Sequence, residues 1–334
     1  MADQEYRIVR ASATEWIAGT VAAPAALAGY PTSGVSKMVE TINMFEGAGD
    51  IGQMQRAHSK PGSRYREAEV STYLYASATD APPVVGALLR ACAFSENLGG
   101  TTPNIAYTYI LASQHLLTDT TAGALDPVDV VLKTDQLKSV VDDAVGSVSI
   151  IWKPNSPPVA TFKFRGLAET ADATAAFSTY VPGNVPVAWQ NAAITIAIAG
   201  AGAIADLVYG FIKFDSDNVI DPREDGNGTY GFSAPRLAGR MPTLEFQVEA
   251  TLLATLNLYT VQSAGSLVEL KWQHNAAGGV GATMKHGFRG YITKITPGPL
   301  NGKLAYTVLL EQSGVSTDGF YMGWKSTAEY TYPF

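Results

Sequence analysis

The sequence carries one cysteine in 334 residues, Cys92. A lone thiol excludes an intrachain disulfide and a thiolate-rich metal site. Charge is scarce as well, with 16% of residues ionisable against about 25% in an average soluble chain. Hydrophobic residues reach 46%, so the chain can build a core and is not disordered. Lys and Arg number 23 against 30 Asp and Glu, a net charge of −7. That balance excludes a basic nucleic-acid clamp, because phosphates are repelled rather than held. A chain with so little charge to spread over its surface is expected to bury part of that surface against other copies of itself.

Export and membrane signals are missing too. Met1, Ala2, Asp3, Gln4 and Glu5 supply neither the basic nor the apolar region of a secretory signal. The longest apolar run, Ala192 to Ile212, is rich in Ala and Gly and is interrupted by Asp206, which costs roughly 2.5 to 3.5 kcal/mol at a membrane-helix centre. It reads as strands, and no membrane insertion is expected.

Catalytic constellations are equally thin. His58, His115, His274 and His286 include no pair at the i, i+4 spacing of a helical metal site. A G-x-S-x-G elbow is absent, and Cys92 lies on an apolar helix face, as a small core residue does. Gly200, Gly202 and Ala205 form G-x-G-x-x-A, with Asp221 at about the distance of a ribose ligand. The flanking residues read as strands with no parallel βαβ run, so a small-residue turn is expected and no cofactor. Asp215, Asp217, Asp221, Glu224 and Asp225 cluster as calcium ligands do, but Val219 and Ile220 break the EF-hand pattern. An acidic solvated loop is expected, with no metal. The sequon Asn227-Gly228-Thr229 has no meaning in a chain that is not secreted.

What the sequence does contain is alternation. Period-2 segments rich in β-branched and aromatic residues run over Glu67 to Ala76, Ile105 to Leu111, Ser147 to Trp152, Thr161 to Arg165, Leu244 to Val248, Leu267 to Trp272, Tyr291 to Ile295 and Leu304 to Leu310. Two stretches break it. Val85, Leu88, Leu89 and Cys92 stand at helical spacing and predict a helix from Pro83 to Phe94. Leu252, Thr255, Leu256 and Tyr259 predict another from Thr251 to Gln262, with Gly265 beyond its end. The fold class is mainly β, of the α+β kind.

Leu88 and Leu256 are 168 positions apart, and other features recur near that displacement. A polar stretch, Gly47 to Arg66, precedes strand and helix in one half, and Asp215 to Ser233 does so in the other. Pro154 to Pro158 turns the chain between two strands, as does Pro297 to Gly302, where Asn301-Gly302 is a hairpin signal. The order predicts two domains, 1–170 and 171–334.

The motifs PPVVGALLRACAF, SVSIIWK, TFKFRGL and DSDNVIDPREDGNGTYGFSAPRLAGRMPTLEFQVEA, in that order, resemble the tail tube proteins, or major tail proteins, of long-tailed non-contractile bacteriophages. The resemblance runs from about Val39 to Gln312. Pro83, Leu88, Leu89, Arg90, Ala91 and Cys92 match the family's helix, and Arg240, Met241 and Pro242 match the step into its later strand. It implies tail-tube-type β-sandwiches, each with one flanking helix and a long β-hairpin arm, closing into rings around a continuous β-barrel channel. Relatives with one such domain form rings of six, so a duplicated chain would form a trimer with pseudo-sixfold symmetry. The resemblance further implies a structural virion protein in the tail, assembled in the host bacterial cytoplasm. Its implied partners are further copies of itself, a tape measure protein, tail terminator or distal tail proteins, and DNA in transit. A tail terminator or head decoration protein is the alternative, and a nucleotide-binding enzyme a remote one.

The two polar stretches are opposite in charge. From Gly47 to Arg66, Arg56, Lys60, Arg64 and Arg66 oppose Asp50, a net of +3. From Phe214 to Tyr230, Asp215, Asp217, Asp221, Glu224 and Asp225 oppose Arg223, a net of −4. If both project along a tube axis, as the resemblance implies, these nine residues are the candidate contacts between rings. Gly49, Gly52 and Gly62 predict that the first arm is mobile before assembly.

Overall fold

The computed structural model describes residues 7–11, 27–30, 37–45, 60–74, 83, 85–99, 106–111, 127–133, 138–168, 193–198, 201–204, 207–227, 231–250, 255–274, 283–312 and 319–325. The chain is mainly β. The first half contributes β1 (Arg7–Ala11), β2 (Leu27–Tyr30), β3 (Lys37–Phe45), β4 (Lys60–Tyr73), α1 (Gly86–Ala91), β5 (Phe94–Gly99), β6 (Ala106–Leu111), β7 (Val128–Lys133), β8 (Lys138–Trp152) and β9 (Val159–Ala168). The second contributes β10 (Ala193–Ile198), β11 (Ala201–Ile204), β12 (Tyr209–Asp215), β13 (Asn218–Glu224), β14 (Phe232–Arg240), β15 (Thr243–Glu249), α2 (Leu258–Ser263), β16 (Leu267–His274), β17 (Thr283–Leu300), β18 (Lys303–Gln312) and β19 (Phe320–Lys325). All the ladders among the described residues are antiparallel, as short turns between successive strands allow.

The two halves follow one strand order. In the first, neighbouring strands run β2, β1, β7, β8, β9, β4, β3. In the second they run β11, β10, β16, β17, β18, β15, β12. Each helix follows the strand in sixth place of its list. Three elements stand outside this shared order: the β5–β6 hairpin after α1, the β13–β14 hairpin between β12 and β15, and β19.

Period-2 alternation sets which face each strand buries. In β15, Leu244, Phe246 and Val248 are buried while their neighbours are half-exposed. In β4 and β9, Ala68, Val70, Phe162 and Phe164 turn inward. The run from Ala192 to Ile212, expected as strands, contains β10, β11 and the start of β12. Gly202 lies within β11, while Gly200 and Ala205 lie outside the described residues, and the following residues enter β12 rather than a helix.

Both helices are shorter than their sequence spacing predicts. α1 spans six residues because the Gly86 N–H is taken by Pro83 O in a turn. At its other end Ala93 adopts φ 62°, left-handed backbone that stops a helix. Val85, Leu88, Leu89 and Cys92 are all buried, as the stripe predicts. Residues 251–254 of the second expected helix, Leu252 among them, lie outside the described residues; α2 itself starts at Leu258, where Asn257 caps it by accepting the Thr260 N–H at 3.1 Å. The expected stripe is therefore not its buried face: Leu256 precedes the helix, Thr255 and Tyr259 are exposed, and Leu258 is buried. α2 ends at Gly265, φ 58°, with Ser266 N–H donating to Val261 O. Asn301 and Gly302, φ 51° and 79°, make the tight turn from β17 to β18 that their dipeptide predicts. Pro297 and Pro299, expected in that turn, lie instead within β17.

Candidate assembly interface

The halves meet edge to edge. β12 of the second half pairs with the end of β8 in the first, setting Ile212 opposite Trp152, Phe214 opposite Ile150 and Asp215 opposite Ser149. Ser216 extends the ladder: its N–H donates to Val148 O and its hydroxyl oxygen accepts the Val148 N–H, both at 2.9 Å. A second seam joins β19 to β6.

Between the seams lies an aromatic core drawn from both halves. Trp152 packs edge-on against Trp272, centroids 5.1 Å apart, with His286 buried against both. Phe214 stacks on Phe320 at 3.7 Å, and Phe94 meets each edge-on. Aromatic pairs in these geometries add about 0.5 to 1.5 kcal/mol each beyond their burial. The buried residues of both halves belong to one continuous cluster.

The base of the β13–β14 hairpin lies across the outer face of the first half. The Asn218 amide donates to Cys92 O and Gly146 O, each at 2.9 Å. Arg240 reaches Ala93 O at 3.4 Å. These carbonyls of Cys92 and Ala93 belong to the end of α1, where a cation or donor is favoured. Burial lowers Arg240 to about 10, so it stays charged at neutral pH. Arg165 donates to Ile220 O at 3.2 Å and also pairs with Glu67. A groove of about 310 Å³ remains between hairpin and sheet, lined by Val39, Glu67, Glu69, Lys163, Arg165 and Ile220 among others.

The nine charged residues singled out in the sequence fall in several environments. Arg56 lies outside the described residues. Lys60, Arg64 and Arg66 belong to strand β4, so the arm as read from Gly47 to Arg66 is strand from Lys60 onward. Arg66 is 8% exposed and donates to Val140 O at 2.9 Å, a contact inside its own half. Arg64 is half-buried opposite Ile42. Asp215 accepts the Asp217 N–H at 3.2 Å, and Asp217, exposed at φ 43°, kinks the chain between β12 and β13. Asp221 stands opposite Arg236, and Glu224 is exposed opposite Phe232. Asp225 closes the hairpin turn by accepting the Asn227 N–H at 2.9 Å. Three of the five acids thus shape turns. The β13–β14 hairpin contacts the first half at its base.

Sequence reasoning missed Ser216, Asn218 and Arg165 as seam residues. Their contacts are to backbone atoms distant in the chain, which leave no local pattern. Among the described residues no group of His, Cys, Asp or Glu is placed to hold a metal ion. Cys92 is buried, and that burial pushes its thiol well up, which disfavours the thiolate. No helix among the described residues is long and apolar enough to cross a membrane. No protein-family model matches the chain, and no curated protein matches it.

Proposed function

We propose that the chain is a structural subunit of a bacteriophage tail tube, polymerising as stacked rings around a channel for DNA, and that it is not an enzyme. The observation that carries this reading is the recurrence of one seven-strand order in both halves, with the edge strand of one seated on the other. That is lateral association of like units, already accomplished inside one molecule. In this reading the halves are two tandem tail-tube-type β-sandwich domains, and three chains supply a ring of six, a trimer with pseudo-sixfold symmetry. A net charge of −7 suits a conduit whose wall must not bind phosphate. The reading places the protein in the virion tail after assembly in the host cytoplasm. Its partners are then a tape measure protein within the channel and tail terminator or distal tail proteins at the ends.

Negative-stain imaging of the concentrated purified chain tests this. Hollow tubes of uniform width are expected. Closed rings or trimers that never stack would point instead to a tail terminator or head decoration protein. A nucleotide-binding enzyme would reveal itself by added stability of about 2.7 kcal/mol at ligand concentrations of 100 times the dissociation constant, where no thermal shift is expected.

A further inference from the structure

The seam between the halves has a second counterpart that no described strand covers, and the ladders locate it residue by residue. Leu74 N–H donates to Pro158 O, and Ala250 N–H donates to Leu304 O, which aligns β4 with β15 and β9 with β18. Seven residues before Leu74 and Ala250 stand Glu67 and Thr243, opposite Val39 and Asp215. Three residues further back stand Arg64 and Arg240, opposite Ile42 and Asn218. Four residues after Pro158 and Leu304 stand Phe162 and Val308, opposite Val148 and Ile295. The helix ends correspond as well: Ala93 and Gly265 share a left-handed φ, and each donates its N–H three residues back, to Arg90 O and Gln262 O, both at 3.0 Å.

Each contact of the inner seam therefore names a partner for an outer one. Val148 and Ile150, which receive β12, correspond to Ile295 and Pro297. Phe214 and Ser216, which dock there, correspond to Met38 and Glu40. Alternation along the ladder puts the backbone groups of Ile295 and Pro297 on the edge away from β18, and those of Met38 and Glu40 on the edge away from β4. Among the described residues, β3 pairs with β4 alone, and β17 beyond Ile292 with β18 alone. At the helix end, Ala264 and Gly265 are exposed, whereas Cys92 and Ala93 are covered.

We propose that a second copy of this chain docks its β3 on the edge of β17 from Ile295 to Pro299, with its Arg64 reaching the carbonyl of Gly265 as Arg240 reaches that of Ala93. This contact is head-to-tail, since it joins the first half of one chain to the second half of another.

Charge supports the choice of occupant. The acidic second arm lies over a face carrying Lys163 and Arg165 beside Glu67 and Glu69. In the second half the residue corresponding to Arg165 is Glu311, and the one corresponding to Glu69 is Glu245, both half-exposed. The cation that would come to this face is Arg64, and the exchange of Arg165 for Glu311 favours it over a like-on-like contact. The step at Pro297 is one-directional: Pro297 accepts the Met38 N–H and donates nothing back, while Ile295 can both accept from and donate to Glu40.

This proposal rests on the ring reading only in that copies of the chain must meet. Val39 and Thr296 correspond to Asp215 and Ser149, a pair whose backbone groups point away from each other, the close-spaced kind that a disulfide can bridge. The variants Val39→Cys and Thr296→Cys are made separately, mixed and oxidised at the highest soluble concentration. A covalent dimer containing one of each is expected from the mixture and from neither variant alone, with buried Cys92 silent. The variant Ser149→Cys with Asp215→Cys, which bridges within one chain, is the control. A second measurement follows Arg64→Glu by sedimentation. It should associate roughly tenfold or more weakly, the loss of a charge-assisted hydrogen bond, with Arg64→Lys intermediate. Self-association without the mixed dimer overturns this docking mode and leaves the tube reading standing. A chain that stays monomeric overturns both, and a mixed dimer in samples that never form tubes supports the docking while the tube reading falls.

Discussion

One strand edge occurs twice in this molecule, and the two copies are furnished differently. At the end of β8 the edge-facing positions hold Val148, Ile150 and Trp152, all buried under β12. At the end of β17 the matching positions hold Ile295, Pro297 and Pro299, with both prolines exposed. An edge covered by its own chain carries full hydrogen-bonding capacity and large apolar side chains at no risk. An edge that meets water first is blunted, because each proline deletes a donor that would otherwise template indiscriminate strand addition. The helix ends differ in the same sense. Ala93 accepts left-handed backbone at a buried position held by Arg240, whereas exposed Gly265 adopts it without steric cost.

The comparison breaks most decisively at the covered edge. Trp152→Ala removes a fully buried ring from between Trp272 and His286, and should lower stability by about 3 to 5 kcal/mol. Chemical denaturation measures it, and a loss below about 1 kcal/mol would mean that the halves do not depend on their shared core. Next comes Asn218→Ala, which strips the amide donated to Cys92 O and Gly146 O. The expected loss is about 1 to 3 kcal/mol, and limited proteolysis should then find the β13–β14 hairpin loosened from the first half. The smallest effect on the fold belongs to the open edge. Changing Pro297 and Pro299 together to Val should alter stability by no more than about 0.5 kcal/mol while restoring two donors. Light scattering should then show faster and less regular aggregation than the native chain gives. Unchanged behaviour would mean that the prolines do not guard this edge.

The strands were legible because burial on one face writes period 2 directly into residues such as Leu244, Phe246 and Val248. The Asn301-Gly302 turn was legible because only a few residues tolerate its backbone. The two halves run their strands in one order, although residues at matching positions share little: Val308 stands where the first half has Phe162, and Glu311 where it has Arg165. α2 was misplaced because a plausible stripe upstream outweighed the Asn257 cap, the feature that starts the helix. The seam itself was hidden. Its ladder uses backbone atoms, and its side-chain contributors, Ser216, Asn218 and Arg240, look like ordinary loop polarity until the fold brings α1 beneath them. The acidic run was legible as an arm, but not as one whose Asp215 and Asp225 hold their own turns.

The seating of β12 on β8 has a consequence in counting and rate. Two surfaces joined through one polypeptide meet at an effective concentration on the order of millimolar, whatever the concentration of the protein in solution. A closed assembly that repeats the seam between molecules therefore needs only half its lateral contacts to form by collision, so the dilute chain is held back at one kind of step instead of two. Covalent linkage also frees the two surfaces from having to match themselves. A lone unit must carry compatible edge and docking strand in one sequence, whereas here the covered edge of β8 and the proline-bearing edge of β17 are furnished separately.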